Sequence, residues 1–330
     1  MSLNGAKVLV TGADGFIGSH LTEALVQQGA RVRAFCFYNS NGSRGWLDFT
    51  EKPIAADIDF RLGDIRDARF VEDSCRDIEV VFHLAALIAI PYSYQAPESF
   101  VDTNVRGTLN VLEAARRTGC RRVVQTSTSE VYGTPDFLPI LETHSLKGQS
   151  PYSATKIAAD KLCEAYYCSY DVPVVILRPF NTYGPRQSAR AVIPTILGQL
   201  LAGKTRVALG NLAPRRDLTF VYDTVNGFIA AGSAPGVEGQ TIQLGTGRSE
   251  SVEDVFRAAC RAVCVDAEVV QSEDRMRPAR SEVMVLQSDP SLAAARLAWT
   301  AETSLEEGLA KTAEWMRREL AHYRTDSYVV

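Results

Sequence analysis

The chain has 330 residues, of which 46% are hydrophobic and 22% are charged, so it can bury a large core in one large domain or two interlocked ones. A formal net charge of −4 gives no broad attraction for nucleic acid or an anionic membrane surface, and we expect neither as a partner. Seven cysteines without a CxxC pair and only four histidines argue against a metal site. No segment approaches the ~20 apolar residues of a membrane-spanning helix, and no signal-peptide pattern is seen, so we expect a cytoplasmic protein.

Short apolar runs rich in β-branched residues alternate with helix-period segments in the first half of the chain. This alternation is typical of βαβ units, so we predict an α/β fold with a doubly wound, Rossmann-like parallel sheet. The predicted strands are Lys7–Thr11, Arg31–Phe37, Asp59–Leu62, Val80–Leu84, Arg122–Ser127 and Val174–Arg178. The predicted helices are Gly15–Gln28, Ala68–Cys75, Val101–Thr118 and Pro151–Ser169.

The pattern becomes irregular after Pro179, which predicts a smaller α/β substrate-binding lobe. We expect residues 1–178 to form a dinucleotide-binding domain, with segments near 218–245 returning to it. Residues 179–217 and 246–330 then form the substrate lobe, and the two parts share one cleft. The elements predicted here are helices Val192–Ala202, Val252–Val263 and Leu305–Leu320 and strands Asp217–Val221 and Thr241–Gly245.

A glycine pattern follows the first predicted strand and opens the first helix, in VLVTGADGFIG. Gly12 permits a tight turn, Gly15 lets the backbone approach a pyrophosphate, and Gly18 lets the helix pack closely on the strand. The helix N-terminus, with Phe16 and Ile17, offers free N–H groups and the positive end of a dipole to the phosphates.

Two further segments complete a dinucleotide site in the expected order. Asp64 and Ile65 follow the third strand, where a carboxylate can accept from the adenine amino group. Leu84, Ala85 and Ala86 end the fourth strand, where small residues let the backbone flank the cofactor. The three segments together predict a dinucleotide-binding enzyme.

The second strand lacks the acidic residue that binds the ribose 2′-hydroxyl in many NAD sites, about 20 residues after the glycines. Asn39, Ser40 and Asn41 stand there instead and can bind a ribose diol. Arg44 can meet a 2′-phosphate. We favour NAD, and NADP stays open.

A candidate catalytic set lies around the fifth strand and the helix after it. Tyr152 and Lys156 are one helical turn apart, so the lysine can favour the phenolate that acts as a base. Thr128 follows the fifth strand at the carboxyl edge of the sheet, where it can hydrogen-bond the substrate oxygen that Tyr152 deprotonates.

TGADGFIG, HLAA, TNVRGT, TSTSEVYG, YSATK, RPFNTYGPR and RDLTFVYD occur in this order. Over nearly the entire chain they resemble the extended short-chain dehydrogenase/reductases of the NAD-dependent epimerase/dehydratase family. The resemblance implies oxidation of the C4 hydroxyl of a nucleotide sugar. The stretch Thr128-Ser129-Glu130 resembles that of GDP-mannose dehydratases, where many related dehydratases have Thr-Asp-Glu. It implies that Glu130 removes the C5 proton and, without the separate aspartate, also helps protonate the leaving C6 hydroxyl.

A closer resemblance is to the N-acetylglucosamine nucleotide 4,6-dehydratases of the legionaminic-acid pathway. FCFYNSNGSRGWLD, HLAALIAIPYSY and RPFNTYGPRQSARAVIP carry it. It implies a 4,6-dehydratase, a hydro-lyase that acts on an N-acetylhexosamine nucleotide, with UDP favoured over GDP. A 5,6-dehydratase, a C4 epimerase and a UDP-glucuronate decarboxylase of the same family remain alternatives. From another class, a redox-inactive protein with a structural dinucleotide is disfavoured by the intact catalytic set.

The same resemblance implies substrate contacts from Asn181 and a diphosphate clamp of Arg216 and Arg277. Tyr92 and Tyr94, after HLAA, either line the sugar pocket or simply pack. The predicted helices Val101–Thr118 and Pro151–Ser169 resemble those of a four-helix dimer interface, so a homodimer is expected.

Overall fold

The computed structural model describes residues 2–323 apart from 276, 277 and 279. The strands are β1 Lys7–Thr11, β2 Arg31–Phe37, β3 Ile58–Gly63, β4 Val80–His83, β5 Arg122–Thr126, β6 Val174–Pro179, β7 Asn181–Tyr183, β8 Arg206–Leu209, β9 Arg215–Arg216, β10 Leu218–Phe220, β11 Thr241–Leu244, β12 Glu250–Ser251, β13 Glu268–Gln271 and β14 Val285–Leu286. The helices are α1 Phe16–Gln27, α2 Lys52–Ala56, α3 Ala68–Cys75, α4 Ile90–Gln95, α5 Pro97–Phe100, α6 Gly107–Thr118, α7 Pro151–Tyr170, α8 Val192–Leu201, α9 Val221–Ser233, α10 Val252–Val263, α11 Ser291–Leu297 and α12 Leu305–Arg318.

Seven parallel strands form the central sheet in the order β3-β2-β1-β4-β5-β6-β11. Strands β4 and β6 are buried at every position, because helices cover both faces of the sheet. Helices α1 and α9 pack on one face, and α3, α6 and α7 pack on the other. The strand order reverses between β1 and β4, which opens a crevice at the carboxyl edge of the sheet. The predicted doubly wound fold is confirmed.

The second half of the chain adds three small sheets beside this edge, β7 with β10, β9 with β12 and β14, and β8 with β13. Helices α8, α10 and α12 pack together around them. Strand β11, in contrast, joins the central sheet beside β6. No helix in the described ranges is long and apolar enough to cross a membrane.

Several short elements, among them α2, α11, β8 and β13, were not predicted, and two larger differences concern helices. The helix predicted over Val101–Thr118 starts earlier, since α5 runs through a π-helical stretch, Val101–Arg106, into α6. The strand predicted through Val221 ends at Phe220, and the helix α9 that follows was not predicted. Helix α9 contains Gly227 and Gly232, which have low helix propensity, but both allow the helix to pack closely on the sheet. A Cβ atom on Gly227 would lie 2.4 Å from Leu244 Cδ1, so the helix needs glycine to approach the sheet.

Candidate active site

A cleft of about 520 Å³ opens at the crevice beside β1 and β4. Its lining includes most of the predicted cofactor-binding residues, namely Gly12, Gly15, Phe16, Ile17, Gly18, Asp64, Ile65, Leu84, Ala85 and Ala86. Tyr92, predicted at the substrate, also lines it. The sequence segments that were grouped by motif therefore meet in one cavity.

The glycine loop between β1 and α1 admits no larger side chain at two positions. Gly12 has φ +67°, and a Cβ atom there would lie 2.8 Å from the backbone nitrogen of Ala85. A Cβ atom on Gly18 would lie 2.1 Å from the carbonyl oxygen of Gly12. Gly15 is the N-cap of α1, so the free N–H groups of that helix face the cleft. This arrangement fits a dinucleotide pyrophosphate.

A buried hydrogen-bond chain fixes the end of β4 against the glycine loop. His83 Nδ1 lies 2.7 Å from Thr11 Oγ1, and its Nε2 lies 3.2 Å from Thr108 Oγ1. The same Thr11 oxygen accepts from the backbone N–H groups of Leu84 and Ala85, each at 3.2 Å. Burial lowers the pKa of His83 to about 3, and the charge of Lys156 adds to this shift. His83 is thus a neutral structural residue.

Asn39 and Ser40, which were predicted to bind the ribose, are not among the residues that line the cleft. Both ends of the Asn39 amide are used within its own turn, where Nδ2 donates to the Ser43 carbonyl oxygen at 2.8 Å and Oδ1 accepts from Ser43 N–H at 3.0 Å. Ser40 is exposed and does not line the cleft. Arg44 pairs with Asp48, Nε to Oδ1 at 2.9 Å, and its guanidinium stacks 4.4 Å from the Phe60 ring centre.

The predicted adenine residue Asp64 also has a partner. Arg66 donates to both of its carboxylate oxygens, from Nε at 2.9 Å and 3.0 Å. These bonds lower the pKa of Asp64. The pair stands on the wall of the cleft, as predicted for Asp64.

Three predicted catalytic side chains come together after β5. Thr128 caps a short 3₁₀-helix, Ser129–Tyr132, and its hydroxyl accepts from the Glu130 N–H at 3.2 Å. Tyr152 stands at the start of α7. Burial raises its pKa, and the nearby Glu130 charge raises it further, while the Thr128 side chain opposes the shift. Ser129 is buried and Glu130 is half-buried.

Lys156 points from α7 towards the end of β5. Its Nζ donates to the Thr126 carbonyl oxygen at 2.5 Å, and burial lowers its pKa. Asn104 secures the same helix, because its Nδ2 donates to Thr155 Oγ1 at 3.0 Å and to the Leu87 carbonyl oxygen at 2.9 Å. Helix α7 and the cleft are thereby fixed to each other.

Behind these residues lies a fully buried ion pair that the sequence reasoning missed. Asp160, one turn after Lys156, accepts at Oδ2 from Arg178 Nη2 at 2.9 Å and from Ser127 Oγ at 2.8 Å. Arg178 also donates to the phenol oxygen of Tyr132 at 3.0 Å. The pair joins α7 to β6 and to Ser127, which follows β5 and precedes Thr128.

The predicted substrate residues lie on the second half of the chain. Asn181 begins β7, and its side-chain oxygen is buried without a hydrogen-bond partner among the described residues. Arg216 on β9 lies 3.3 Å from Glu282, Nη2 to Oε1. The Tyr94 hydroxyl on α4 lies 2.5 Å from the Ser281 hydroxyl, and this contact links α4 to the second half of the chain. Arg277 lies outside the described residues.

Comparison with known proteins identifies this arrangement. The family described as GDP-mannose 4,6 dehydratase matches residues 9–312, which is most of the chain. The chain is an extended short-chain dehydrogenase/reductase. It belongs to the NAD-dependent epimerase/dehydratase family, whose members act on nucleotide sugars.

Relatives of this short-chain dehydrogenase/reductase have several activities. A UDP-glucose 4-epimerase from Mycolicibacterium smegmatis is 33% identical over 95% of this chain and 99% of its own length. A trifunctional UDP-glucose 4,6-dehydratase from Arabidopsis thaliana is 30% identical over 94% of this chain, which matches 46% of that longer protein. UDP-glucuronic acid decarboxylases are also related.

The crystal structure of a UDP-glucuronic acid 4-epimerase from Bacillus cereus, in complex with UDP-glucuronic acid and NAD, has a TM-score of 0.87 at 27% identity. The alignment covers 95% of this chain and 99% of the epimerase. The family and its NAD dependence are thus confirmed, whereas the relatives do not single out one sugar or one reaction.

Among the described residues, no group of three His, Cys, Asp or Glu side chains is placed to hold a metal ion. Two further polar residues of the short-chain dehydrogenase/reductase site were not predicted from the sequence. Asn104 stood in TNVRGT and Asp14 in TGADGFIG, both inside recognised motifs. Their partners lie 51 and 23 residues away in the chain, so only the fold brings these contacts together.

Proposed function

We propose that the protein is a cytoplasmic, NAD-dependent 4,6-dehydratase that converts an N-acetylhexosamine nucleotide to its 4-keto-6-deoxy sugar. UDP-N-acetylglucosamine is the favoured substrate. The observation that carries the proposal is Glu130, a half-buried carboxylate whose backbone N–H donates to Thr128 and whose charge raises the pKa of Tyr152 in addition to burial. Its segment, TSTSEVYG, and the wider likeness to dehydratases of the legionaminic-acid pathway support it.

The residues around the cleft fit NAD, because α1 begins after Gly15 at the cleft, where its free N–H groups can bind a pyrophosphate. Bound there, NAD would accept the hydride from C4 and supply the hydride for C6. Tyr152 takes the proton of the C4 hydroxyl, and Thr128 holds that hydroxyl by a hydrogen bond. Lys156 provides the positive charge of this site, beside the end of β5.

Glu130 acts on the ketone that C4 oxidation produces. A ketone at C4 acidifies the C5 proton, and the Glu130 carboxylate removes it. The C6 hydroxyl then leaves as water. Ser129, where related dehydratases have an aspartate, is buried and carries no acid. Glu130 therefore also delivers a proton to the leaving hydroxyl.

The second half of the chain supplies groups for the rest of the substrate. The side-chain oxygen of Asn181 is buried and accepts no hydrogen bond from the described residues, so a donor on the ligand would satisfy it. Arg216, with Arg277, would clamp the diphosphate, and this exchanges the Glu282 contact of Arg216 for a phosphate contact. Tyr92 contributes to the sugar side of the cleft.

A homodimer formed through α6, α7 and the helical stretch before α6 is part of this proposal. Apolar or aromatic side chains on these helices are exposed, including Val101, Leu109 and Tyr170. A second copy of the same surface would cover them.

Incubation of the purified protein with a panel of UDP- and GDP-sugars, followed by mass spectrometry, tests the function. We expect one N-acetylhexosamine nucleotide to lose one water and to form a product that a carbonyl-reactive hydrazide traps. A product of unchanged mass would indicate an epimerase, and loss of carbon dioxide would indicate a decarboxylase. A dehydrated product without a ketone would indicate 5,6-dehydration. Each of these three outcomes would refute the proposal.

Glu130→Gln tests the assigned base. The amide keeps the size of the side chain but cannot take a proton, so dehydration should fall by about 10²- to 10⁴-fold with NADH binding unchanged. Reduced cofactor should accumulate, because C4 oxidation does not need Glu130. Glu98→Gln, which removes an exposed carboxylate on α5, is the matched control and should dehydrate normally. Normal dehydration by Glu130→Gln would exclude the role.

A further inference from the structure

In many dinucleotide-binding folds, an acidic side chain at the carboxyl end of β2 accepts a hydrogen bond from the 2′-hydroxyl of the adenosine ribose. This chain has Phe37 and Tyr38 there, both exposed, at 59% and 63%. Asn39, next in sequence, uses its amide to close its own turn. The strand itself thus supplies no carboxylate to the ribose.

Asp14, in the glycine loop, places a carboxylate at this same point. Its Oδ2 accepts from the backbone N–H of Phe37 at 3.1 Å, so the side chain lies against the last residue of β2. Asp14 lines the cleft together with Gly12 and Phe37. Burial raises the pKa of the thiol of Cys36, the residue before Phe37, and the Asp14 charge raises it further. The carboxylate therefore comes from the loop before α1 and occupies the end of β2.

Contacts with the loop after β2 fix the position of Asp14. The Trp46 N–H donates to the Asp14 carbonyl oxygen at 3.1 Å, and Gly45 packs so closely that a Cβ atom there would lie 2.4 Å from that oxygen. The Trp46 ring in turn packs edge-on against Trp315, with ring centres 5.4 Å apart. A carboxylate accepts about four hydrogen bonds, so Asp14 can bind a ligand hydroxyl in addition to Phe37.

We infer that Asp14 binds the 2′-hydroxyl of the adenosine ribose and selects NAD over NADP. The inference rests on the proposed function, since it assumes a dinucleotide in this cleft. A hydroxyl donates to the carboxylate in a charge-assisted hydrogen bond, whereas a 2′-phosphate would bring about two negative charges against it. Arg44, in the loop after β2, does not offset that repulsion, because its guanidinium Nε donates to Asp48.

Titration of NADH and NADPH into the purified protein, read by fluorescence or calorimetry, tests this without turnover. The wild type should bind NADH at least about tenfold more tightly than NADPH. In Asp14→Asn, the amide oxygen can still accept from Phe37 N–H but the side chain carries no charge. The ratio of the NADPH to the NADH dissociation constant should therefore fall by about tenfold. Asp48→Asn should raise NADPH affinity severalfold, because it releases Arg44 to meet the phosphate.

Asp57→Asn is the matched control, because Asp57 is exposed at the end of α2 and the net charge changes equally. It should leave the ratio unchanged. Asp14→Ser is the second variant should Asp14→Asn lower the thermal midpoint of the free protein. A wild-type ratio near one, or an unchanged ratio in a folded Asp14 variant, overturns the inference and leaves the proposed function standing. A wild type that binds neither dinucleotide overturns the proposed function as well.

Discussion

Replacement of Arg178 by methionine should destabilise the protein strongly, because it leaves a buried carboxylate without its cation. Asp160 is 0% exposed and Arg178 is 2% exposed. Two of the three hydrogen bonds to Asp160 Oδ2 come from Arg178, at 2.9 Å and 3.2 Å. Burial already raises the pKa of Asp160, and Arg178 is the largest opposing influence. Removal of one partner of such a pair costs about 3–5 kcal/mol of unfolding free energy.

Denaturant unfolding, followed by circular dichroism, measures the loss in Arg178→Met. Arg206→Met is the control, since the Arg206–Glu268 pair is 71% exposed on both sides and should contribute less than about 1 kcal/mol. The double variant Arg178→Met, Asp160→Leu should recover part of the loss, because the Asp160 carboxylate is then no longer buried without its ion-pair partner. A loss below about 1 kcal/mol in Arg178→Met, or no recovery in the double variant, would refute this account.

Two further predictions concern pH and assembly. Burial lowers the pKa of His20 to about 4, below the value near 6.5 of the unfolded chain, so the unfolded state takes up the proton first on acidification. The unfolding free energy should therefore fall as the pH drops from about 6.5 to about 4. This fall should be smaller in His20→Gln than in His322→Gln, which replaces an exposed histidine. An equal fall in the two variants would show that His20 does not cause the pH dependence. Leu109→Glu on α6 should convert the expected homodimer to a monomer in light scattering, whereas Asp57→Asn should not; a monomeric wild type would dismiss the dimer.

Local patterns were enough to predict the central sheet. Five of its strands, β1, β2, β4, β5 and β6, are short apolar runs bounded by polar or glycine-containing turns, and the predicted ends lie within one residue of the observed ones. Periodicity and turn signals are properties of neighbouring residues, so they can be read without the fold. The π-helical stretch Val101–Arg106 and helix α9 were not accessible in this way. Their geometry depends on packing against distant elements, as the contact of Gly227 with Leu244 shows.

The candidate site divides along the same line. Gly12, Gly15 and Gly18 could be predicted, because their function depends on the backbone of one local turn. Asn39 was expected at the ribose because of its position in sequence, but its amide satisfies its own turn. The carboxylate that reaches the end of β2, Asp14, comes from 23 residues earlier, and spacing alone does not reveal it.

The pairing of β11 with β6 limits where the chain can be cut into fragments that fold. Strand β11, which pairs with β6, comes from residues 241–244, whereas the other six strands all come from residues 7–179. A fragment that stopped before it would expose the backbone edge of β6, a strand whose six residues are all buried in the intact protein. Unpaired apolar edges of this kind associate with one another. During synthesis, the edge of β6 therefore stays unpaired until residues 241–244 have been made and β11 has joined the sheet.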